Sequence, residues 1–247
     1  PELVGWWRFS EPSGATAADW SGRGNDAEIL APEHVARVSG APAGFALRFD
    51  GAVDDDGAPG LKGCVRVPGM AGISFGQGFT VAAWVRPSRF QDCGMVLAKM
   101  SDPGVWDDGF AVYFDDCGRP SGHVRRWGVP GNAVAGGAAA TGVWTHLCMV
   151  HDGGHTILYV DGAPADTGIG GDGAVANDAP FWIGSLRSDA GSWPWCGDIA
   201  DVRVYAAALP AGEVASLVEA YADPDGDGVS SLEEQWRGTD PNVPDAC

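Results

Sequence analysis

Apolar and polar residues alternate along many short segments of the chain, and Gly, Pro and Asp residues separate these segments. An alternation with a period of two places the apolar residues on one face of an extended strand, so it predicts β-structure. Segment 79–85 is apolar on both faces, as expected for an inner strand of two stacked layers. The predicted strands are 3–9, 46–49, 65–67, 79–85, 95–99, 110–115, 144–151, 156–160, 181–183 and 199–205.

Only residues 210–221 have convincing helical spacing, because their apolar residues recur on one face. The composition includes Gly 38 and Pro 17, which suit many short strands joined by tight turns, and 11 Trp, which supply a large core. Residues 152–154, Asp-Gly-Gly between two predicted strands, are a hairpin signal. We therefore predict an all-β fold, a two-sheet antiparallel jelly-roll β-sandwich with a short C-terminal helix.

Eight segments, taken in order, resemble the laminin-G-like family of the concanavalin A-like superfamily over residues 2–222. The matching segments are 3–9, 19–26, 47–51, 79–85, 144–147, 158–162, 197–205 and 208–209. The resemblance implies two packed antiparallel sheets, with the N- and C-terminal strands side by side, and frequently a structural Ca²⁺. Members of the family mostly bind glycans or proteins and some are catalytic, so the resemblance indicates the fold better than the function.

The charge balance narrows the classes of partner. A formal net charge of −18 repels nucleic acid and anionic membrane surfaces, which bind through Lys and Arg. No apolar run is long enough to cross a bilayer, so we expect no membrane insertion. The chain starts without a signal peptide, and we interpret it as a mature piece of a larger extracellular protein, secreted or on the cell surface, with neighbouring domains as partners.

The six cysteines contain no C-x-x-C pair, and their even number fits disulfides in an oxidising compartment. If the strands 95–99 and 110–115 pair with Leu97 opposite Tyr113, then Cys93 falls opposite Cys117. This register predicts a Cys93–Cys117 disulfide. Cys148 lies in a strand where a small apolar residue would serve, which favours a buried thiol, and the other pairings stay open.

The clearest chemical signal is a run of acidic residues near the C-terminus. Numbered as a twelve-residue EF-hand-type loop, its candidate ligands are Asp223, Asp225, Asp227, the Val229 carbonyl, Ser231 and Glu234. Carboxylates so close together repel one another unless a cation lies between them, so we predict Ca²⁺. Asp240 and its neighbours extend the resemblance to bacterial thrombospondin type 3 repeats. We therefore divide the chain into a jelly roll, 1–222, and a calcium-binding tail, 223–247; a disordered acidic linker is the alternative.

A second calcium site is suggested by the turn 19–25. Its glycines let backbone carbonyls point inward, while Asp19 and Asn25 supply side-chain oxygens. In the proteins that this chain resembles, the turn commonly holds Ca²⁺ against the last strand, where Asp201 would contribute. The alternative is an Asx-turn without metal. For the acidic run 54–56, a solvated loop is the favoured interpretation.

Catalysis is the minority hypothesis. The Glu-x-Asp-x-x-Glu strand motif of the superfamily's glucanases is absent, and the central strands contain no Glu. A polysaccharide lyase would need an Arg to neutralise a uronate and a His or Tyr as base. His123 and Arg125 would share one face of a strand and are the candidates, although a surface strand carries such a pair by chance more often.

Four tryptophans are candidates for stacking on sugar rings: Trp106, Trp127, Trp193 and Trp195. The loop tryptophans lie outside the alternating strands, so core packing does not obviously explain them; capping of the sandwich ends is the alternative. The sequence favours a calcium-stabilised carbohydrate-binding, lectin-like module. The alternatives are a polysaccharide lyase or glycoside hydrolase on the same fold, and an adhesive spacer without a ligand.

Overall fold

The strands predicted from alternation form two antiparallel sheets in a computed structural model of the protein. The structure describes residues 1–52, 63–70, 75, 78–91, 93–100, 109–124, 133–169, 177–186, 193–222 and 229–244. The strands are β1 (Leu3–Trp7), β2 (Thr16–Ala17), β3 (Ala27–Leu30), β4 (Val35–Ala41), β5 (Gly44–Asp50), β6 (Cys64–Val67), β7 (Phe79–Pro87), β8 (Gly94–Lys99), β9 (Phe110–Phe114), β10 (Pro120–Val124), β11 (Ala133–Ala135), β12 (Thr145–His151), β13 (His155–Val160), β14 (Ala163–Ile169), β15 (Phe181–Ile183) and β16 (Cys196–Tyr205). The helices are α1 (Ala211–Glu219) and α2 (Ser231–Arg237), and Pro32–His34 and Pro68–Met70 are short 3₁₀ turns.

Within the described residues, each of the two sheets has eight strands. Sheet 1 has the order β14-β13-β12-β7-β16-β5-β4, with β1 also paired to β16, and sheet 2 has the order β11-β10-β9-β8-β15-β6-β3-β2. The first and last strands lie side by side, with Trp6 opposite Arg203, as the family resemblance implied. The all-β, two-sheet antiparallel jelly-roll prediction is confirmed.

The core fills the space between the sheets. On β7 the side chains of Val81, Ala83 and Val85 point into it, in agreement with the period of two. Aromatic rings dominate this layer, and the Phe79 and Phe110 ring centroids stack at 4.5 Å. Because burial of a large apolar side chain contributes roughly 1.5–3 kcal/mol, these rings carry much of the stability of the sandwich.

Helix α1 covers part of the outer face of sheet 1. Val214 and Leu217 on one face of the helix are buried against Cys148, Tyr159 and other sheet residues, so the predicted amphipathic helix is confirmed. Helix α2 was not predicted from the sequence, because seven residues are too few to show a helical period. Neither helix in the described part of the chain is long and apolar enough to cross a bilayer.

The hairpin prediction at 152–154 is confirmed. Strands β12 and β13 pair with His151 opposite Thr156, and the Asp152 carboxylate accepts the backbone N–H groups of Gly154 and His155 at 3.0 and 2.7 Å. This local Asx-type turn sets the register of the hairpin, which explains why the hairpin could be predicted from the sequence.

Candidate functional site

An open cleft of about 410 Å³ lies at the β11 edge of sheet 2. We call it the edge cleft and define it by Tyr113, Asp115, Arg119, Ser121 and Asp166, together with the β11 backbone. Strand pairing builds its floor, because Tyr113 lies opposite Ser121 and Ser121 lies opposite Ala135 in β11. Three neighbouring strands thus present one continuous row of side chains to the cleft.

The two ends of this row carry charge. The turn between β9 and β10 supplies Asp115 and Arg119, whose Oδ2 and Nε atoms are 2.7 Å apart. Asp166, on β14 of sheet 1, accepts the backbone N–H of Ala135 at 2.9 Å. The edge cleft therefore joins groups from both sheets, and no single segment of sequence contains them.

Asp115 and Arg119 in this turn stabilise each other's charged forms. Burial tends to raise the pKa of Asp115, but hydrogen bonds from the backbone and side chain of Arg119 outweigh it and lower that pKa below its ordinary value. The hydrogen bond and the charge of Asp115 raise the pKa of Arg119 in return. The Arg119 side chain is nevertheless 56% exposed, so its guanidinium is open to a ligand.

The middle of the row is neutral. Burial raises the pKa of Tyr113 well above its ordinary value, and its hydroxyl is hydrogen-bonded to Ser121. The edge cleft consequently offers a guanidinium donor, carboxylate acceptors and neutral hydroxyls on one surface. A general acid for glycoside hydrolysis needs a carboxyl with a raised pKa, and the lowered pKa of Asp115 is the opposite. The arrangement suits binding better than acid catalysis.

The candidate base His123 lies on β10, one pleat from Ser121. Its side chain is 1% exposed and packs edge-on against Tyr113, with ring centroids 6.0 Å apart. Burial lowers the pKa of His123 to about 4. The described structure thus covers His123 instead of presenting it to solvent, and Arg125 lies outside the described residues.

The tryptophan predictions divide. The prediction that Trp195 stacks on a sugar ring is wrong, because this residue is 1% exposed and packs in the core. Its ring centroid lies 5.3 Å from that of Phe114. The reason is that the β16 alternation continues backwards through Gly197 to Trp195, which directs this side chain between the sheets. Trp193 is partly buried against the outer face of sheet 2. Trp106 and Trp127 lie outside the described residues.

The register behind the Cys93–Cys117 disulfide is wrong. Tyr113 lies opposite Met95, and Leu97 lies opposite Val112, because a bulge separates these two pairs. Cys117, Cys148 and Cys196 are free thiols in the structure. Cys148 is fully buried, as predicted, and burial raises the pKa of its thiol.

The carboxylate of Asp19 is saturated by donors. Its Oδ1 accepts the N–H groups of Trp6 and Ser21 at 3.0 and 2.8 Å, and its Oδ2 accepts the Asn25 N–H and the Ser21 hydroxyl at 2.9 and 2.7 Å. Burial tends to raise the pKa of Asp19, but these hydrogen bonds, led by the Ser21 hydroxyl, lower it overall. The side-chain amide of Asn25 donates to the Val4 carbonyl at 2.7 Å.

The third candidate ligand of this site, Asp201, already has cationic and neutral donors. It accepts the Trp6 indole N–H at 2.6 Å and lies 3.0 Å from the Arg203 guanidinium. Asp19 and Asp201 are thus held by N–H and O–H donors, whereas a calcium site needs their oxygens directed at the metal. The residues of this turn do not fit Ca²⁺.

The C-terminal tail contains the other set of predicted calcium ligands. The described part, 229–244, contains three predicted ligands in or before α2, namely Val229, Ser231 and Glu234, and Asp240 beyond it; Asp223, Asp225 and Asp227 lie outside the described residues. The Ala222 carbonyl accepts both the N–H and the hydroxyl of Ser231, at 2.9 and 3.1 Å. Glu234 is fully buried, although it carries a carboxylate. Asp240 instead accepts the Asn242 N–H within a turn.

The edge cleft was missed at the sequence level. Its residues are spread from Tyr113 to Asp166, and only the Asp115–Arg119 spacing, which suits a side-chain-stabilised hairpin turn, was available as a local signal. The exposed aromatic Trp20 was missed for the same reason, since exposure depends on neighbours that are distant in the chain; its side chain is 50% exposed.

The chain belongs to the concanavalin A-like lectin/glucanases superfamily. The Laminin_G_3 family model matches residues 59–215, more than half of the sequence. Among curated proteins, none matches this chain.

Solved structures show the same fold at low sequence identity. The binding domain of Paraclostridial Mosquitocidal Protein 1 has a TM-score of 0.65 and 17% identity over 89% of this chain and 52% of that chain. Domain 4 of AbnA, an extracellular GH43 arabinanase from Geobacillus stearothermophilus, solved with arabinotriose, has a TM-score of 0.63 and 19% identity, covering 88% of this chain and 98% of that one. A Trypanosoma rangeli sialidase has a TM-score of 0.61 and 19% identity, with 88% and 33% covered. This chain therefore spans about half of the first of these proteins and a third of the sialidase.

Proposed function

We propose that this chain is a carbohydrate-binding module of a larger secreted or cell-surface protein, and that the edge cleft is its glycan site. The observation that carries the proposal is the cross-strand row of Tyr113 and Ser121, flanked by Arg119 and Asp166 in an open cleft. The arabinanase domain with arabinotriose supports a glycan as the class of ligand for this fold.

The chemistry of the cleft matches sugar hydroxyls. A hydroxyl group both donates and accepts, so two adjacent sugar hydroxyls can donate to a carboxylate while a guanidinium donates to their oxygens. Asp166 offers the acceptor and Arg119 the donor, from opposite sides of Tyr113 and Ser121. Because the Asp115 ion pair and β-strand pairing fix the row in advance, little side-chain entropy is lost on binding.

The test is retention on a panel of immobilised neutral and acidic polysaccharides, scored also for released reducing ends and unsaturated products. The wild-type chain should be retained without products. Arg119→Gln and Asp166→Asn should each weaken retention about 10–100-fold, the effect of losing one charge-assisted hydrogen bond. The control is Glu33→Gln, an exposed carboxylate in a short turn next to β4, which should leave retention unchanged.

Three outcomes would contradict the proposal. Retention that survives both cleft variants would place the glycan elsewhere. Released products would make the chain an enzyme. A lack of retention on every polysaccharide would favour a spacer.

We also propose that the tail binds Ca²⁺ and stabilises the module. The order α1, acidic loop, α2 is that of a helix–loop–helix calcium site, and the Ala222–Ser231 hydrogen bonds bring the loop's ends together. Glu234 is buried at position twelve of the loop, where such a loop uses a carboxylate. Ser231 would supply an oxygen at position nine, since its donating hydroxyl keeps lone pairs. Ca²⁺ would neutralise the repulsion among the carboxylates of the loop.

A further inference from the structure

Two arginines and three aromatic rings alternate across the outer face of sheet 1. The Arg8 guanidinium lies 5.2 Å from the Trp20 ring centroid and 5.5 Å from that of Trp6. The Arg203 guanidinium lies 4.7 Å from the Trp6 ring centroid and 5.7 Å from that of Tyr221. We call this set the arginine stack. Each contact of this kind attracts the cation to the ring face.

Asp201 lies at the centre of the same region. Its φ of 47° is in the left-handed range, at the point where the β16 pairing with β7 shifts between Ala200 and Arg203. A left-handed conformation costs a non-glycine residue free energy, so the surrounding contacts must hold Asp201 there. Its side chain is 2% exposed, and a carboxylate so deeply buried needs a compensating charge.

Arg203 supplies that charge. Its Nε lies 3.0 Å from Asp201 Oδ2, its Nη2 donates to the Tyr221 hydroxyl at 2.7 Å, and its side chain is only 12% exposed. Burial tends to lower the pKa of Arg203, but the charge of Asp201 outweighs it and raises that pKa above its ordinary value. The guanidinium thus lies against the Asp201 carboxylate, and the two opposite charges compensate each other.

Trp6 connects this pair to the turn 19–26. Its backbone N–H donates to Asp19 at 3.0 Å and its indole N–H donates to Asp201 at 2.6 Å. The same residue thus occupies one oxygen of each carboxylate that a shared calcium ion would need. The remaining Asp19 oxygen is taken by Ser21 and Asn25.

We infer that Arg203 is the resident cation at this end of the sandwich, so that β1, β16 and the turn 19–26 are locked together without a metal ion. The inference concerns a site separate from the tail loop. It predicts that any calcium dependence of the protein comes from the tail alone.

Terbium luminescence tests this directly, because Tb³⁺ replaces Ca²⁺ and emits when a nearby tryptophan is excited. A metal between Asp19 and Asp201 would lie next to Trp6 and Trp20. The tail variant Asp223→Asn/Asp225→Asn/Asp227→Asn should therefore show no sensitised emission and no change in Tm with Ca²⁺. Emission that persists in this variant and disappears on Asp19→Asn would overturn the inference.

The calcium proposal for the tail and the inference of a metal-free lock at Arg203 can be refuted independently of each other. If Ca²⁺ also leaves the Tm of wild-type protein unchanged, the calcium proposal for the tail is wrong, while the metal-free lock is supported.

A double-mutant cycle tests the role of Arg203. Arg203→Met and Asp201→Asn should each lower Tm on the order of 10 °C, as expected when one member of a buried ion pair is removed. The double variant should lose clearly less than the sum of the two, because neither charge is then left unpaired. Additive losses would show that Arg203 does not neutralise Asp201. If Arg203→Met does not fold, the Tb³⁺ measurement still decides the inference, since it uses other variants.

Discussion

Mild acid should destabilise this protein through a buried histidine. His146 on β12 is 1% exposed and packs edge-on against Trp84, with ring centroids 5.2 Å apart. Its Nδ1 has no hydrogen-bond partner in the part of the chain that the structure describes. Burial lowers the pKa of His146 to about 4, with a further contribution from Arg203 that the charge of Asp201 opposes.

Proton linkage gives the direction in which the free energy of unfolding changes with pH. The unfolded chain binds a proton to this histidine below its ordinary pKa of 6.5, whereas the folded chain does not until about 4. The free energy of unfolding should therefore fall as the pH drops from about 6.5 to about 4. At 1.36 kcal/mol per unit, the full loss is about 3 kcal/mol, and about 2 kcal/mol is lost by pH 5.

The measurement is urea unfolding at about pH 7.5 and about pH 5 for wild type and His146→Phe, which keeps an aromatic ring beside Trp84. Carboxylates and His123 titrate in both proteins, so their effects cancel in the difference between the two pH dependences. Wild type should lose about 2 kcal/mol more than the variant. The exposed His155, changed to Gln, serves as the control. Parallel pH dependences for wild type and His146→Phe would refute the reasoning.

Three further predictions concern stability. Trp195→Ala should lower the free energy of unfolding by about 3–5 kcal/mol because it empties a core position, while Trp193→Ala should cost less; equal losses by urea denaturation would contradict the placement. Asp198→Asn should lower the free energy of unfolding by about 2–3 kcal/mol, since this buried carboxylate forms ion pairs with Arg48 and Arg86 at 2.7 and 2.5 Å. A loss below about 0.5 kcal/mol by urea denaturation would show that these ion pairs contribute little to stability. For wild-type protein, saturating Ca²⁺ should raise Tm by several degrees and a chelator should reverse this, as expected for a ligand that binds only the folded chain; an unchanged Tm would oppose a calcium-binding tail.

The local parts of the fold were predictable. The period of two identified most of the strands, and the spacing of Val214 and Leu217 identified α1, because both patterns record which side chains face the core within one element. The strands β2, β3, β4, β11 and β14 were not predicted. The hairpin at Asp152 was equally accessible, since the aspartate bonds to backbone groups only two and three residues away. Each of these signals is contained in a few consecutive residues.

The errors and omissions share a cause. The predicted pairing of β8 with β9 was one residue out at Leu97, and the bulge between Met95 and Leu97 added a second residue, so Cys93 does not face Cys117. Nothing in the spacing of the residues predicts this register or the bulge. Trp195 looked like a loop residue, yet the strand alternation continues through it into the core. Strand register decided the first position and the extent of the strand alternation decided the second, and short-range spacing records neither.

The sequence by itself determined the class of fold, helix α1 and the acidic composition of the tail, because composition and short-range periodicity carry that information. Only the tertiary structure decided that Asp19 and Asp201 are held by Trp6 and Arg203, and that Tyr113, Ser121 and Asp166 share one cleft. These groups come from strands that are far apart in the chain. Their distances depend on pairing order and register across both sheets, which no local pattern encodes.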